Sequence, residues 1–473
     1  MSALDSFVHW LEENSKEEKD SSNYSLLQIV ENLGQAGRGL ISKVAIPSGS
    51  CCLSIPISDP RLILTPNRCV DYLNRCGCFK RIPSSIPNGA VEPLDCLVLF
   101  LFHIARTDCC PLYKTWEPYL RVLPKTYTDP VFSAYVFTRE FPAKFNSTDL
   151  NTHFHQIRKR LLRSWHDLQQ LILNDTFSRD TPPELFVWAW CSVNSRCVYC
   201  PLTESDRNLR PNFVDRLRLN KISSSSVLTV RSSPKKISAD VALIPFFDFF
   251  NHDAAAQCKL VVNDSENAVK LFLHQSFAAG EQVFINYGPH DNLTLLLEYG
   301  FCVGSDENPH DAVYPGVADI ESVVHSSARG YLRDTVAYLG VKESSGQDHS
   351  IIWPTICFTQ TGASLHLLLL LHVLCMLQTE AGIDAEKVLK NLDWEKLYQL
   401  NEYALVHQLR PLLVQLVNRL IGQQQSDDME ISDLLKNSAH RETLAITDGL
   451  MVLKHFLHVR KKLLDEVYMV LLE

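Results

Sequence analysis

No stretch of the chain reads as a bilayer span. The most apolar run, LHLLLLLHVLCML from Leu365 to Leu377, falls short of the roughly 20 residues a spanning helix needs. It is expected to be a buried helix, and no membrane partner is expected. The N-terminus MSALDSFVHWLEENSKEEKD lacks the basic start and apolar core of a secretory leader. Basic charge is not in excess: 45 Lys and Arg stand against 54 Asp and Glu, for a net charge of -9. That argues against a surface that tracks nucleic acid as a whole, so no direct nucleic-acid partner is expected. Paired metal knuckles are missing. Cys76 lies near Cys78 and Cys197 near Cys200, but neither pair has a partner at regular spacing, so no metal is expected. The 15 cysteines read mostly as buried thiols of a cytosolic or nuclear protein. No GxGxxG opens a helix after a strand, which removes the dinucleotide fingerprint.

What is present is a globular composition, 46% hydrophobic and 21% charged. At 473 residues the chain is too long for one core, and about two or three domains are expected. Residues 3 to 20 pattern as a short amphipathic helix with Phe7, Trp10 and Leu11 on one side. Residues 32 to 56 read as short strands joined by glycine turns. From 93 to 185 the period becomes helical. Strand signals return at LIPFFDFFNHDAAA and run through AVKLFLHQSFAAGEQVFINYG, and from about Glu321 onward the pattern is helical again. The order is β, α, β, α. Within it, residues 205 to 240 hold eight Lys or Arg against three Asp, with a serine run. They read either as a solvated flexible loop or as a basic flap over an acidic partner.

Chemistry can be sought in four short pieces. In GQAGRGLIS, Gly37 and Gly39 flank Arg38, and glycines let backbone groups approach a ligand closely; a plain turn between strands explains them as well. In IPFFDFFNHD, Asp248, Asn251 and His252 interrupt an apolar run. Buried polar groups need hydrogen-bond partners or cost about 1–3 kcal/mol each, so a local network, a polar ligand or a metal is implied. In WAWCSVNSRCVYC, Asn194 and Arg196 sit among apolar residues, where the arginine suits a carboxylate of the protein or of a ligand. In EQVFINYGPHDN, an alternating strand ends on Tyr287 at Gly288-Pro289, and LLLEYGF repeats a tyrosine before glycine at Tyr299. Both rings fit a core as well as a slot.

In this order the four pieces resemble the SET-domain methyltransferases. The GRGL turn, the Asn-His pair of FFNHD, the GEQVFINYG strand and the final EYGF carry the likeness. The helical block between the first and second pieces is similar to the Rubisco large-subunit methyltransferase class. The resemblance implies an α+β fold: a SET domain of short β-sheets with a near-knot, a helical insert inside it, and an all-α C-terminal substrate-binding domain. The boundaries expected are 1–24 for an N-terminal helix, 25–310 for the SET domain, with its insert at about 93–185 and a basic loop at about 205–240, and 311–473 for the C-terminal domain.

The resemblance also implies S-adenosyl-L-methionine as cofactor and a protein substrate, a lysine of a histone or another protein, in the cytoplasm and nucleus. By similarity, the backbone around Ala36, Arg38 and Leu40 would hold the cofactor's methionine part and ribose, and Arg196 its carboxylate. Asn251 and His252 would hold the adenine, with Asp248 supporting the turn and Phe301 packing on the ring. Tyr287 would stand at the methyl-transfer centre and Tyr299 would line the lysine channel. A protein-histidine methyltransferase and a non-catalytic SET-fold scaffold are the alternative readings. The sequence departs from the family pattern at Ala36, where an acidic residue is frequent. The 205–240 loop is long for the class, and no cysteine-rich tail follows EYGF.

Overall fold

The computed structural model describes residues 2–15, 24–34, 37–57, 61–76, 92–106, 112–125, 127, 145–172, 178, 182–200, 202, 241–263, 265–266, 268–304, 306–341, 353–378, 385–438 and 444–472. Ala36 and the basic 205–240 segment lie outside them. The chain divides into two compact units, Met1–Tyr127 with Arg160–Pro289, and Thr128–Lys159 with His290–Glu473.

The first unit combines short strands with helices. Its strands are β1 (Leu27–Val30), β2 (Gly39–Ser42), β3 (Cys51–Pro56), β4 (Val198–Tyr199), β5 (Val241–Ala242), β6 (Asn251–His252), β7 (Cys258–Asn263), β8 (Ala268–Leu273) and β9 (Phe284–Ile285). They pair as β1-β2, β3-β8-β7, β4-β5 and β6-β9. Three of these sheets are antiparallel, while β6 and β9 run parallel, with Asn251 opposite Phe284 and His252 opposite Ile285. The stretch LIPFFDFFNHD is not the continuous strand its composition suggests. Phe246 takes φ 81°, the one non-glycine positive φ among the described residues, and a 3-10 turn over Phe247–Phe249 follows. Such a conformation costs about 1–3 kcal/mol and is held only where the surroundings fix it. Here an edge-on contact between the Phe246 and Tyr24 rings, 4.9 Å between centroids, helps to do so.

The helices of this unit are α1 (Ala3–Ser15), α2 (Pro66–Cys76), α3 (Pro93–Ala105), α4 (Tyr113–Val122) and α6 (Glu184–Arg196); α5 (Thr148–Gln169) contains the division at 159/160. In α1 the expected apolar face is seated: Phe7 and Leu11 are buried, and Trp10 Nε1 donates to the Thr115 carbonyl at 2.9 Å. Phe7 packs its ring against Tyr119 and Phe249.

Helix α3 is buried along nearly its whole length and carries Asp95 with it. Ser164 Oγ donates to Asp95 Oδ1 at 2.5 Å. Burial pushes this carboxyl up to about 7 from 3.8, against the lowering effect of the Ser164 bond. A group raised on folding contributes stability below its unfolded pKa and loses it as pH rises through the folded value. Asp95→Asn should therefore stabilise the chain at pH 8 by up to about 4 kcal/mol, with the gain shrinking toward pH 4. Thermal melts of both proteins from pH 4 to 8 check this; a pH-independent difference would contradict it.

The second unit is largely helical. Its main helices are α7 (Leu365–Gln378), α8 (Glu402–Ser438) and α9 (Leu444–Leu472). The apolar run singled out in the sequence is α7, whose residues Leu367 to Leu371 are at most 1% exposed. No described helix is long and apolar enough to cross a membrane. The expected all-α character needs one correction. Strands β10 (Ala312–Val313), β11 (Phe358–Thr359) and β12 (Gly362–Ala363) form a small antiparallel sheet. Two-residue strands carry no readable alternation, and Gly362 (φ 112°) makes the tight return between β11 and β12. Buried carboxylates then tie down backbone ends. Asp427 of α8 accepts the Asn146 and Ser147 amides at 2.6 and 2.8 Å. Asp149 pairs with Arg460 of α9 at 2.6 Å and accepts the Tyr314 amide.

Candidate active site

The site is built from the parallel pair of β6 and β9. Because Asn251 stands opposite Phe284, the chain leaving β9 passes directly beside His252. The Tyr287 amide donates to His252 Nδ1 at 3.1 Å, which puts the proton of a neutral imidazole on Nε2. The two rings lie 5.1 Å apart, tilted by 39°. The Tyr287 hydroxyl donates to the Phe250 carbonyl at 2.6 Å, so its proton is committed there. Burial pushes the phenol well above its ordinary pKa, so it stays neutral at physiological pH. Gly288 follows at φ 139°, which turns the chain away immediately after the tyrosine.

The glycine turn sits beside the same strands. Gly37 takes φ 65°, and its carbonyl accepts the Leu33 amide at 2.7 Å. Arg38 is not directed at a ligand by its side chain. The guanidinium donates to the Val122 carbonyl and lies 5.6 Å from the Phe249 ring centroid. The Arg38 carbonyl accepts Asn251 Nδ2 at 3.1 Å, which ties the turn to β6. Leu40 is fully buried, with its carbonyl accepting the Val283 amide. Gly39 is required by space. A Cβ there would stand 2.6 Å from Asn251 Nδ2, 2.8 Å from Leu33 Cδ1 and 2.9 Å from Gln282 Nε2. Gly39→Ala should push the Asn251 amide off the Arg38 carbonyl and destabilise the chain by about 1–3 kcal/mol. Chemical denaturation checks the prediction, and an unchanged midpoint and slope would refute it.

Arg196 ends α6, where the helix dipole favours a cation. Its Nη1 donates to the Asp248 carbonyl at 2.9 Å and to Asp248 Oδ2 at 3.2 Å, and its Nε donates to Tyr127 Oη at 3.3 Å. The arginine thus meets a carboxylate of the protein itself. Among the described residues Nη2 carries no hydrogen bond, and the side chain keeps 19% exposure while Asp248 has none. Burial raises the Asp248 carboxyl and the Arg196 charge is the largest effect opposing it.

Eight of the ten residues expected at the site belong to the first unit. Of these, Arg38, Leu40, Arg196, Asp248, Asn251, His252 and Tyr287 are brought together by the contacts above, and Ala36 is not described. Tyr299 and Phe301 belong to the second unit. There Tyr299 lies 5.6 Å from the His290 ring and 6.3 Å from Phe301, next to Gly300 at φ 82°. Sequence reasoning missed Tyr119 and Tyr127, and it missed the strain at Phe246. WEPYLRVLPKTY carries helical period in its first part, but nothing in the sequence singles out either tyrosine. Among the described residues no cluster of three or more His, Cys, Asp or Glu could hold a metal.

A SET domain family model matches residues 37–288. Human SET domain-containing protein 4 is 30% identical over 342 residues, 72% of this chain and 66% of that one, just under two thirds of its length. Ribosomal lysine N-methyltransferase set11 of Schizosaccharomyces pombe is 28% identical over 123 residues, 26% of this chain and 24% of that one. Among solved structures, a crystal structure of the SET domain of LSMT bound to lysine and AdoHcy superposes with a TM-score of 0.55 at 16% identity, covering 99% of this chain and 90% of that one. The matched residues run from the glycine turn to the residue after Tyr287 and make up more than half of the chain, so the protein belongs to the SET-domain family.

Proposed function

We propose that the chain is a protein-lysine N-methyltransferase using S-adenosyl-L-methionine. One observation carries the reading: the β6–β9 register fixes the Tyr287 hydroxyl on the Phe250 carbonyl, at the rim of a cluster holding Asn251, His252 and Arg196. The residues fit this cofactor. Arg196 Nη2 is an available donor for an α-carboxylate, set in a fork already fixed by its other nitrogens. Asn251 and His252 offer backbone groups on a short strand, and Gly37 and Gly39 add no side chain to the adjoining turn, whose Arg38 guanidinium is held on the Val122 carbonyl. When bound, the cofactor supplies a methyl group already activated on sulfonium.

The protein's part is then positioning rather than acid or base power. A lysine amine has a pKa near about 10.4 and must be neutral to attack; an environment that excludes water favours the neutral form. The Tyr287 oxygen, with its proton committed to Phe250, orients the amine as an acceptor, and the ring face tolerates a developing cation. The names of the set11 relative and of the LSMT structure support a lysine as acceptor. A lysine of a histone or another protein is the substrate we propose, and cytoplasm and nucleus are the compartments in which the enzyme acts.

Calorimetric titration with S-adenosylhomocysteine tests the cofactor half of the reading. At roughly 100 times its dissociation constant the ligand should stabilise the fold by about 2.7 kcal/mol, and Asn251→Ala should weaken binding. Absence of binding to the wild-type chain would leave a SET-fold scaffold as the better account.

A further inference from the structure

The polar network behind Arg196 extends beyond its ion pair. Tyr119 lies on α4 and Tyr127 shortly after it, both in the segment inserted between β3 and β4. The Tyr119 hydroxyl donates to Asp248 Oδ2 at 3.1 Å. The Tyr127 hydroxyl accepts from Arg196 Nε and donates to Ser192 Oγ at 2.8 Å, which in turn donates to the Trp188 carbonyl at 2.8 Å. Tyr119 and Ser192 are fully buried and Tyr127 is 8% exposed. Trp188 closes the circuit, its Nε1 donating to the Pro124 carbonyl at 2.7 Å between the two tyrosines.

A planar guanidinium held on two edges cannot rotate, so its third edge points in one direction only. A phenylalanine at either tyrosine position would fill the same space. The hydroxyls are therefore not needed for packing, and both reach the Arg196–Asp248 pair, Tyr119 at Asp248 and Tyr127 at Arg196. We infer that Tyr119 and Tyr127 are positioning residues of the cofactor site, which aim Arg196 Nη2 at the α-carboxylate of the bound amino-acid arm. The inference rests on the functional reading above and deepens it. The insert is thereby part of the binding machinery, fixing the affinity for a ligand it does not touch through these phenols.

The discriminating property is the carboxylate. S-adenosylhomocysteine carries it, whereas 5′-methylthioadenosine has the same adenosine and lacks the amino-acid group. In calorimetric titrations of the full chain, Tyr127→Phe should weaken S-adenosylhomocysteine by about tenfold, the usual worth of a hydrogen bond to a charged group. It should leave 5′-methylthioadenosine within about twofold. Tyr119→Phe should act in the same direction, and Arg196→Gln sets the scale of full loss. Equal loss of both ligands would assign the tyrosines a merely structural role and overturn the inference, as would no loss of either. Wild-type chain that binds neither ligand would instead overturn the functional reading, and the inference with it. Thermal melts identify a variant that has not folded, in which case the other tyrosine decides.

Discussion

Tyr287→Phe should lower turnover by about 100-fold and leave cofactor affinity within about twofold. The size follows from what the hydroxyl does. It anchors the ring to the Phe250 carbonyl at 2.6 Å and, in the proposed reaction, its oxygen aligns the amine. Removing it releases both constraints while the ring and the backbone bond to His252 persist. Stability should fall by only about 1 kcal/mol, since the Phe250 carbonyl loses one partner at a site that is not fully sealed. Single-turnover kinetics with labelled cofactor separate the two effects. A variant with wild-type turnover would remove Tyr287 from the reaction centre.

Arg196→Ala combines two losses. The buried Asp248 would keep its Tyr119 donor but lose the one charged partner it has among the described residues, and stranding one half of a buried pair costs about 3–5 kcal/mol. Cofactor binding should fall with it, because the donor proposed for the carboxylate is gone. The pH dependence has a definite sign. Burial already raises the Asp248 carboxyl above 3.8, with Arg196 opposing, so the variant raises it further. A carboxyl raised on folding costs stability as pH climbs through its folded value. The deficit should therefore be larger at pH 8 than at pH 5. Adding Asp248→Asn should recover part of the stability and none of the cofactor affinity. Denaturation of the four proteins in this cycle measures the coupling; a double variant no more stable than Arg196→Ala would contradict it.

Much of this was legible in the sequence, and the reasons differ from piece to piece. The amphipathic spacing of Phe7 and Leu11 and the apolar run at Leu365 gave helices because long periodic segments report their own burial. Polar residues in apolar runs need partners, which left the glycine turn, Arg196, Asn251-His252 and Tyr287 each open to a structural reading; only their order, through its resemblance to the SET-domain family, pointed to a site. What was not legible depends on long-range pairing. The β6–β9 register joins residues 33 apart through strands of two residues each, and no alternation survives at that length. The 3-10 turn at Phe247–Phe249 was hidden because a phenylalanine at φ 81° is set by its surroundings, not by its own preference. Arg196 was read as facing a ligand or a protein carboxylate. The structure makes the second contact directly and leaves Nη2 for the first. The phenols of Tyr119 and Tyr127 were not singled out, because only the fold shows what their hydroxyls reach.

Transfer of a labelled methyl group is the most direct test of the whole account. The purified chain and its Tyr287→Phe variant would be incubated with isotopically labelled S-adenosyl-L-methionine, histones and a whole-cell extract, and the products read by mass spectrometry. The account predicts label on the side-chain nitrogen of a lysine, strongly reduced with the variant. Label on histidine in place of lysine, or equal lysine labelling by the two proteins, would contradict it.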